Sequence, residues 1–416
     1  MRRMLLAAIL VLAPTTVGFA QNTGRIEQVV QSYVSSAGFS GTVLVARGDS
    51  VVFRKGYGVS PDAASPVASI TKQFTAAAIL LLEERGRLRI EDLVSRHLPE
   101  APATWKTMTI FHLLTHTAGF QGLATPPAAR RGLKSADGTV AGFVKAAMED
   151  SLDAQPGETF MYTNSGYFIL GHWIQQISGQ SYERFIQDNI FTPLQMKDTT
   201  LAKGTENPNT AAGFRSTTAD LLGWQLALYG GKVLSNASLQ RMTTSFKGDY
   251  GLGIYVRTID GRKAMTHGGG VPTFANLTYF PDTRTSVVVL GSPNPKAAPA
   301  PEIAAYLGTL AHGGTVTLAS ERKAITLPAD VLQRYAGQYA GQNAMGGTPL
   351  IVVVNGAQLS VQSPDGRTIP LLAESETSFF MEGTNVRVEF VRDAGGVGTG
   401  LVIHQGTLQE RATRLR

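Results

Sequence analysis

Ser69-Ile70-Thr71-Lys72-Gln73-Phe74-Thr75-Ala76-Ala77-Ala78-Ile79-Leu80-Leu81-Leu82-Glu83-Glu84 decides how this chain reads. The run is rich in strong helix formers and closes on Arg85-Gly86, a helix-stop signal. Residues three apart share a helix face, so the Lys72 amine is expected beside the Ser69 hydroxyl. A serine hydroxyl is a poor nucleophile at neutral pH and needs an adjacent base to take its proton. The first turn of a helix adds unpaired backbone N–H groups and a positive dipole end, which suit a developing oxyanion. Ser-x-x-Lys alone discriminates little. It recurs at Ser320-Glu321-Arg322-Lys323, in a charged connector with no apolar helix behind it.

Two later segments give the first its context. Pro156-Gly157 marks a turn, and Thr159-Phe160-Met161-Tyr162-Thr163-Asn164 leads into the helical run Phe168-Ile169-Leu170-Gly171-His172-Trp173-Ile174. Tyr162 and Asn164 therefore fall on a loop at an element boundary, where functional groups are commonly placed. A phenol beside a lysine ammonium has its ionised form favoured, so Tyr162 is a second candidate base. Thr266-His267-Gly268-Gly269-Gly270 lies at the end of an alternating run and precedes Phe274-Ala275-Asn276-Leu277-Thr278-Tyr279-Phe280. Glycines inside a strand pattern signal close approach to the backbone, here by a substrate.

Together the three segments resemble the serine β-lactamase and penicillin-binding superfamily, in its branch of class C β-lactamases, D,D-peptidases, D-aminopeptidases and related esterases. The resemblance covers roughly residues 25–312. Phe111-His112-Leu113-Leu114-Thr115-His116-Thr117-Ala118-Gly119-Phe120 is similar to the stretch between the family's serine helix and tyrosine loop. Pro193-Leu194-Gln195-Met196, with Gln195 in place of the usual glycine, Ala211-Ala212-Gly213-Phe214 and Tyr250-Gly251-Leu252-Gly253 follow in order. The resemblance implies that Ser69 becomes the acyl carrier, that Lys72 and Tyr162 share the proton work, and that Asn164 orients Lys72 and the substrate amide. Backbone N–H groups of Ser69 and Gly270 would hold the oxyanion. Which of Lys72 and Tyr162 is the resting base stays open, since coupled groups titrate as a pair.

The third segment departs from the Lys-Thr-Gly of many β-lactamases: His267 stands for the lysine and Gly268 for the hydroxyl residue. An ordinary histidine is mostly neutral at pH 7. Recognition of a substrate carboxylate is therefore expected to be weak, and to strengthen as pH falls toward the His267 pKa. His267, Gly268, Gly269 and Gly270 are all expected to contact substrate.

Composition narrows the setting. Met1-Arg2-Arg3 and the apolar Met4–Leu12, with Gly18-Phe19-Ala20 as cleavage residues, read as a signal peptide over residues 1–20. The expected address is the periplasm or the exterior, with no integral membrane span after cleavage. Cleavage lowers the formal net charge from +6 to +4, because two of the 37 basic residues leave. No long basic run is present, so nucleic acid is not an expected partner. Zero cysteines exclude disulfides and thiolate chemistry. No zinc motif, P-loop or Gly-x-Ser-x-Gly elbow occurs, and no metal or other cofactor is expected.

The expected fold is α/β (α+β). A five-stranded antiparallel sheet is flanked by helices and joined to an all-helical subdomain, in the β-lactamase/transpeptidase-like manner, over residues 21–313. A linker, 314–326, leads to a small antiparallel β-barrel over 327–416. Six short runs and an Asn355-Gly356 turn carry that reading, which resembles the lipocalin-like barrel of some family members. Its interior either binds an apolar ligand or is filled by side chains, and oligomerisation through it stays open. The polar, Pro-rich stretch between Gly122 and Gly138 either rims the pocket or is a plain surface excursion. The functional expectation is a secreted serine hydrolase acting on D-amino-acid-containing peptides or short-chain esters. The alternatives are a β-lactamase and a non-catalytic penicillin-binding sensor or scaffold.

Overall fold

The computed structural model describes residues 17–123, 139–201, 209–270, 273–292, 300–341, 349–362, 366–382, 384, 386–405 and 408–415. Most of the expected signal peptide and nearly all of the Pro-rich stretch after Gly122 lie outside them. No helix among the described residues is long and apolar enough to cross a membrane.

The central sheet is antiparallel and has six strands: β1 (Gly41–Arg47), β2 (Ser50–Tyr57), β3 (Tyr255–Ile259), β4 (Arg262–Gly269), β5 (Ala275–Phe280) and β6 (Thr285–Gly291). Their spatial order is β2-β1-β6-β5-β4-β3. Five strands were expected. The extra one, β3, is an edge strand whose Tyr-Val-Arg-Thr-Ile sequence is mostly half-buried, so it carries no clean alternation. Helices cover both faces. Val43 and Val45 pack with Ile26, Val29 and Val30 of α1 (Val17–Ala37) and Ile303 and Leu307 of a closing helix, Ala300–Ala311. Leu44 and Ala46 join the core of the helical subdomain. A strand buried on both faces reads as an unbroken apolar run, as β1 does.

The serine helix, α2 (Thr71–Glu84), is buried almost all round. Phe74 anchors it, with ring centroids 4.2 Å from Trp224, 5.5 Å from Phe214 and 5.7 Å from Phe191. Helical-subdomain elements that matter below are α3 (Ser165–Ser178) and α4 (Thr218–Tyr229); the closing helix is α5. Gln195 has φ +55, so a non-glycine residue bears the left-handed turn where the resemblance calls for glycine.

The C-terminal part is a closed antiparallel barrel of eight strands rather than the six runs read from the sequence. Gly337–Ala340 and Leu408–Arg414 are the additions, and they pair with each other to close it, Tyr339 opposite Arg414. The polar Gln-Glu-Arg of the last strand and the brevity of the first hid their alternation. Tyr335, Tyr339, Phe379 and Phe390 fill the interior with Leu359, Leu371 and Leu401, so of the two readings the packed one holds. The second Ser-x-x-Lys match is structural: Glu321 pairs with Arg25, and Arg322 with Glu374 of the barrel at 2.6 Å.

Removing the Phe74 ring should cost about 3–5 kcal/mol, the range for a fully buried aromatic. All three tryptophans, Trp105, Trp173 and Trp224, lie in the β-lactamase-like part of the chain. Denaturant unfolding of Phe74→Ala followed by their fluorescence reports that loss without interference from the barrel.

Candidate active site

Ser69 is delivered by a strained turn. It sits in a 3-10 turn, Ala68–Ile70, that runs directly into α2. The Val67 N–H donates to the Phe214 carbonyl at 2.9 Å, pinning the approach. Ala68 then adopts φ +44, a left-handed conformation that costs a residue with a Cβ about 1–2 kcal/mol. The turn holds Ser69 half-buried at the wall of a cavity, with the Lys72 side chain one helical turn on.

Lys72 is fully buried and, among the described residues, has no carboxylate partner. Its Nζ donates to Asn164 Oδ1 at 2.8 Å and to the Ala211 carbonyl at 3.0 Å, and lies 3.2 Å from Ser69 Oγ. All three are neutral oxygens. Desolvation therefore goes uncompensated and pushes the Lys72 pKa down to about 7. Asn164 occupies the N-cap position of α3, yet makes no side-chain cap bond; its amide oxygen serves Lys72 instead.

Tyr162 lines the cavity wall with Ser69, and burial raises its pKa well above the usual phenol range. The Lys72 Nζ stands 5.0 Å from its ring centroid. The expected pull of a lysine charge on the phenol is thus outweighed by desolvation, and Tyr162 holds its proton at neutral pH. His116 grips the same loop from both sides. Its carbonyl accepts from Met161 N–H at 2.8 Å, and its Nδ1 accepts from Thr163 N–H at 3.4 Å. Its ring lies 4.2 Å from that of Tyr162.

The His267 expectation needs correction. Nδ1 lies 2.7 Å from the Gly268 carbonyl, which can only accept, so Nδ1 carries the proton. Nε2 is left to accept from the Tyr250 hydroxyl at 3.0 Å. Both nitrogens are spent, and burial together with the Lys72 charge pushes the pKa down to about 3. His267 is neither a free contact for an anion nor a group that titrates near neutrality.

The three glycines divide. A Cβ on Gly269 would sit 2.2 Å from the Val67 carbonyl, so this residue lets β4 pack against the serine turn. Gly268 and Gly270 line the cavity, and Gly270 has φ +94. The cavity holds about 570 Å³, with Ser69, Tyr162, Asn164 and His267 in its wall. Arg257 of β3 is there too, its guanidinium 4.3 Å over the Tyr255 ring. Among the described residues it has neither a hydrogen bond nor an ion pair. Sequence reasoning missed Arg257, Tyr255, Tyr250 and the role of His116. The first two belong to the unread edge strand, and Tyr250 and His116 lay inside quoted phrases whose spacing assigns no role.

Comparison with known proteins agrees with the fold. The family model described as beta-lactamase matches residues 26–311, and one described as a domain of unknown function (DUF3471) matches residues 321–415. Penicillin-binding protein 4* of Bacillus subtilis (strain 168) is 25% identical over 442 residues, covering 91% of this chain and 95% of its own. The structure of an octameric penicillin-binding protein homologue from Pyrococcus abyssi superposes with TM-score 0.65 at 23% identity, covering 94% of this chain and 99% of its own. D-amino acid amidase from Ochrobactrum anthropi SV3, complexed with D-phenylalanine, gives TM-score 0.60 at 19% identity over 70% of this chain and 99% of its own.

A neutral amine accepts a proton and an ammonium does not, so activity should be lost as pH falls through the Lys72 pKa of about 7. The profile of kcat/KM against pH for p-nitrophenyl acetate should rise through one inflection there. His267 should add none between about pH 5 and 8, the range where an unperturbed histidine titrates.

Proposed function

The chain belongs to the β-lactamase family, and we propose that its serine-hydrolase chemistry runs through an acyl-enzyme on Ser69 formed from D-amino-acid-containing amides and peptides or short-chain esters. The observation that carries the reading is the buried Lys72 Nζ, 3.2 Å from Ser69 Oγ and without an anion among the described residues. Neutral Lys72 takes the Ser69 proton as Oγ attacks the carbonyl carbon. The backbone N–H groups of Ser69 and Gly270 hold the oxyanion. Tyr162, protonated and in the cavity wall with Ser69, passes a proton to the leaving nitrogen or oxygen as its bond to the acyl carbon breaks. Water then attacks the acyl carbon, gives its proton to the same pair, and releases the acid and free Ser69 Oγ–H.

The preference for D-amino-acid derivatives draws on likeness to the D-amino acid amidase and to a D-stereospecific amidohydrolase from Streptomyces sp.. A substrate carboxylate, where present, would meet Arg257 rather than neutral His267. β-Lactam hydrolysis is the second reading, favoured by the family model and by the penicillin-binding relative. The leader reading of residues 1–20 makes the enzyme secreted or periplasmic. Self-association draws support from the octameric homologue, whose likeness extends over most of this chain.

Wild-type protein should release ammonia from D-phenylalanine amide faster than from the L form. Ser69→Ala should lower that rate by about a thousandfold or more. No release from either enantiomer, together with consumption of benzylpenicillin by the wild type alone, would replace this reading with the second.

A further inference from the structure

The cavity does not end at the catalytic cluster. Its wall continues through Gly268 to Thr266 on β4, to Asn276 and Thr278 on β5, and to Glu302 on α5. Gly268 leaves this route open. A Cβ there would come within 2.8 Å of Thr273 Cγ2 and 3.8 Å of a Pro301 ring carbon, in the space between β4 and the start of α5. Thr266 lies two residues back on the same face of β4, so the arm runs about 7 Å beyond Gly268 along the strand.

Most of its polar wall satisfies itself. Thr266 and Thr278 hydroxyls are 2.8 Å apart, Thr278 donates to Asn276 Oδ1 at 2.8 Å, and Asn276 Nδ2 donates to Thr266 at 3.4 Å. Glu302 is different. It is only 9% exposed, and its Oε1 accepts from the Tyr33 hydroxyl at 2.6 Å. The other carboxylate oxygen has no hydrogen-bond or ion-pair partner among the described residues. Among the described residues that line the cavity Glu302 is the one carboxylate and Arg257 the one cation, and the two do not pair. A carboxylate this little exposed, with one oxygen free among the described residues, is stabilised by a donor or counter-charge that enters the cavity.

We propose that this arm is a subsite for a primary ammonium group of the substrate, with Glu302 as its counter-ion. The inference rests on the reading of the Ser69 cavity as a hydrolase site and narrows its substrate class. An α-ammonium adjoins the scissile carbonyl and stays at Ser69, whereas the arm lies past Gly268 and extends about 7 Å from it along the strand. A four-carbon stem of the lysine type has that reach. The preferred substrates are therefore derivatives of D-amino acids with a basic ω-amino side chain.

Two measurements test this on the full chain. In ligand-observed NMR titrations at pH 7, which need no turnover, n-pentylamine should bind roughly tenfold or more tightly than n-pentanol, as expected for a hydrogen bond to a charged group. Glu302→Gln, which keeps an oxygen for Tyr33, should remove most of that difference. The ratio of kcat/KM for D-lysine p-nitroanilide over D-norleucine p-nitroanilide should likewise exceed ten and fall toward one in E302Q. Equal binding of amine and alcohol by the wild type overturns the proposal, and so does a lysine preference that survives E302Q. The wild-type titration alone decides should E302Q not fold. Amine binding without turnover of either anilide would keep the subsite and overturn the hydrolytic reading of the preceding subsection.

Discussion

An ammonium group withdrawn from water and given no anion among the described residues governs this structure. Lys72 is surrounded by an amide oxygen, a backbone carbonyl and a hydroxyl, which orient a proton without the charge needed to retain it. A carboxylate in the place of Asn164 would hold the amine charged across the physiological range. With neutral ligands, the proton leaves near pH 7. The two fixed ligands come from 92 and 139 residues further along the chain, so the packing of α2 against two remote loops sets the basicity of one nitrogen. Gly253 shows how tight that packing is, since a Cβ there would lie 2.7 Å from the Lys72 carbonyl.

Around this amine the chain builds an aromatic enclosure. His116 and Tyr255 flank the Tyr162 ring at 4.2 Å and 6.4 Å, and Tyr250 reaches His267 by a hydrogen bond. Such an environment penalises every charged form it contains. It raises the phenols, lowers the imidazoles and leaves Lys72 as the group of the cluster poised near neutrality. The charges that remain stand elsewhere in the cavity wall, Arg257 on the edge strand and Glu302 on α5. Proton transfer and charge recognition are thereby assigned to different parts of one cavity.

Among the described residues, none of the barrel lines that cavity. The barrel's rings pack on one another, with Tyr335 and Phe390 stacked at 4.5 Å. It is tied to the linker by the Arg322–Glu374 pair and by a bridge between Ile325 and Ala373.

Local physics explains what was legible in the sequence. Ser69 and Lys72 are three apart on a strongly helical run, so their proximity follows from helix geometry alone. Tyr162 and Asn164 are exposed by the Pro-Gly turn before them and the helix after them, and the strand ending in Gly268-Gly269-Gly270 by its alternation. The second Ser-x-x-Lys could be set aside on context for the same reason. Edge strand β3 and the closing strands of the barrel were not legible, because Tyr-Val-Arg-Thr-Ile and Leu-Gln-Glu-Arg-Ala-Thr-Arg do not alternate apolar with polar residues and Gly337–Ala340 is too short to show a period. The sequence by itself thus determined the groups at Ser69, Lys72, Tyr162, Asn164 and the Gly268-Gly269-Gly270 strand end, and the elements that carry them, but not Tyr255, Arg257 or Glu302 in the same cavity wall. Tertiary structure alone decided their ionisation and partners: a neutral, fully bonded His267, a Lys72 near 7, an unpaired Arg257 and a half-satisfied Glu302. Desolvation and long-range hydrogen bonds depend on what packs around a side chain from distant parts of the chain, and no local pattern records that.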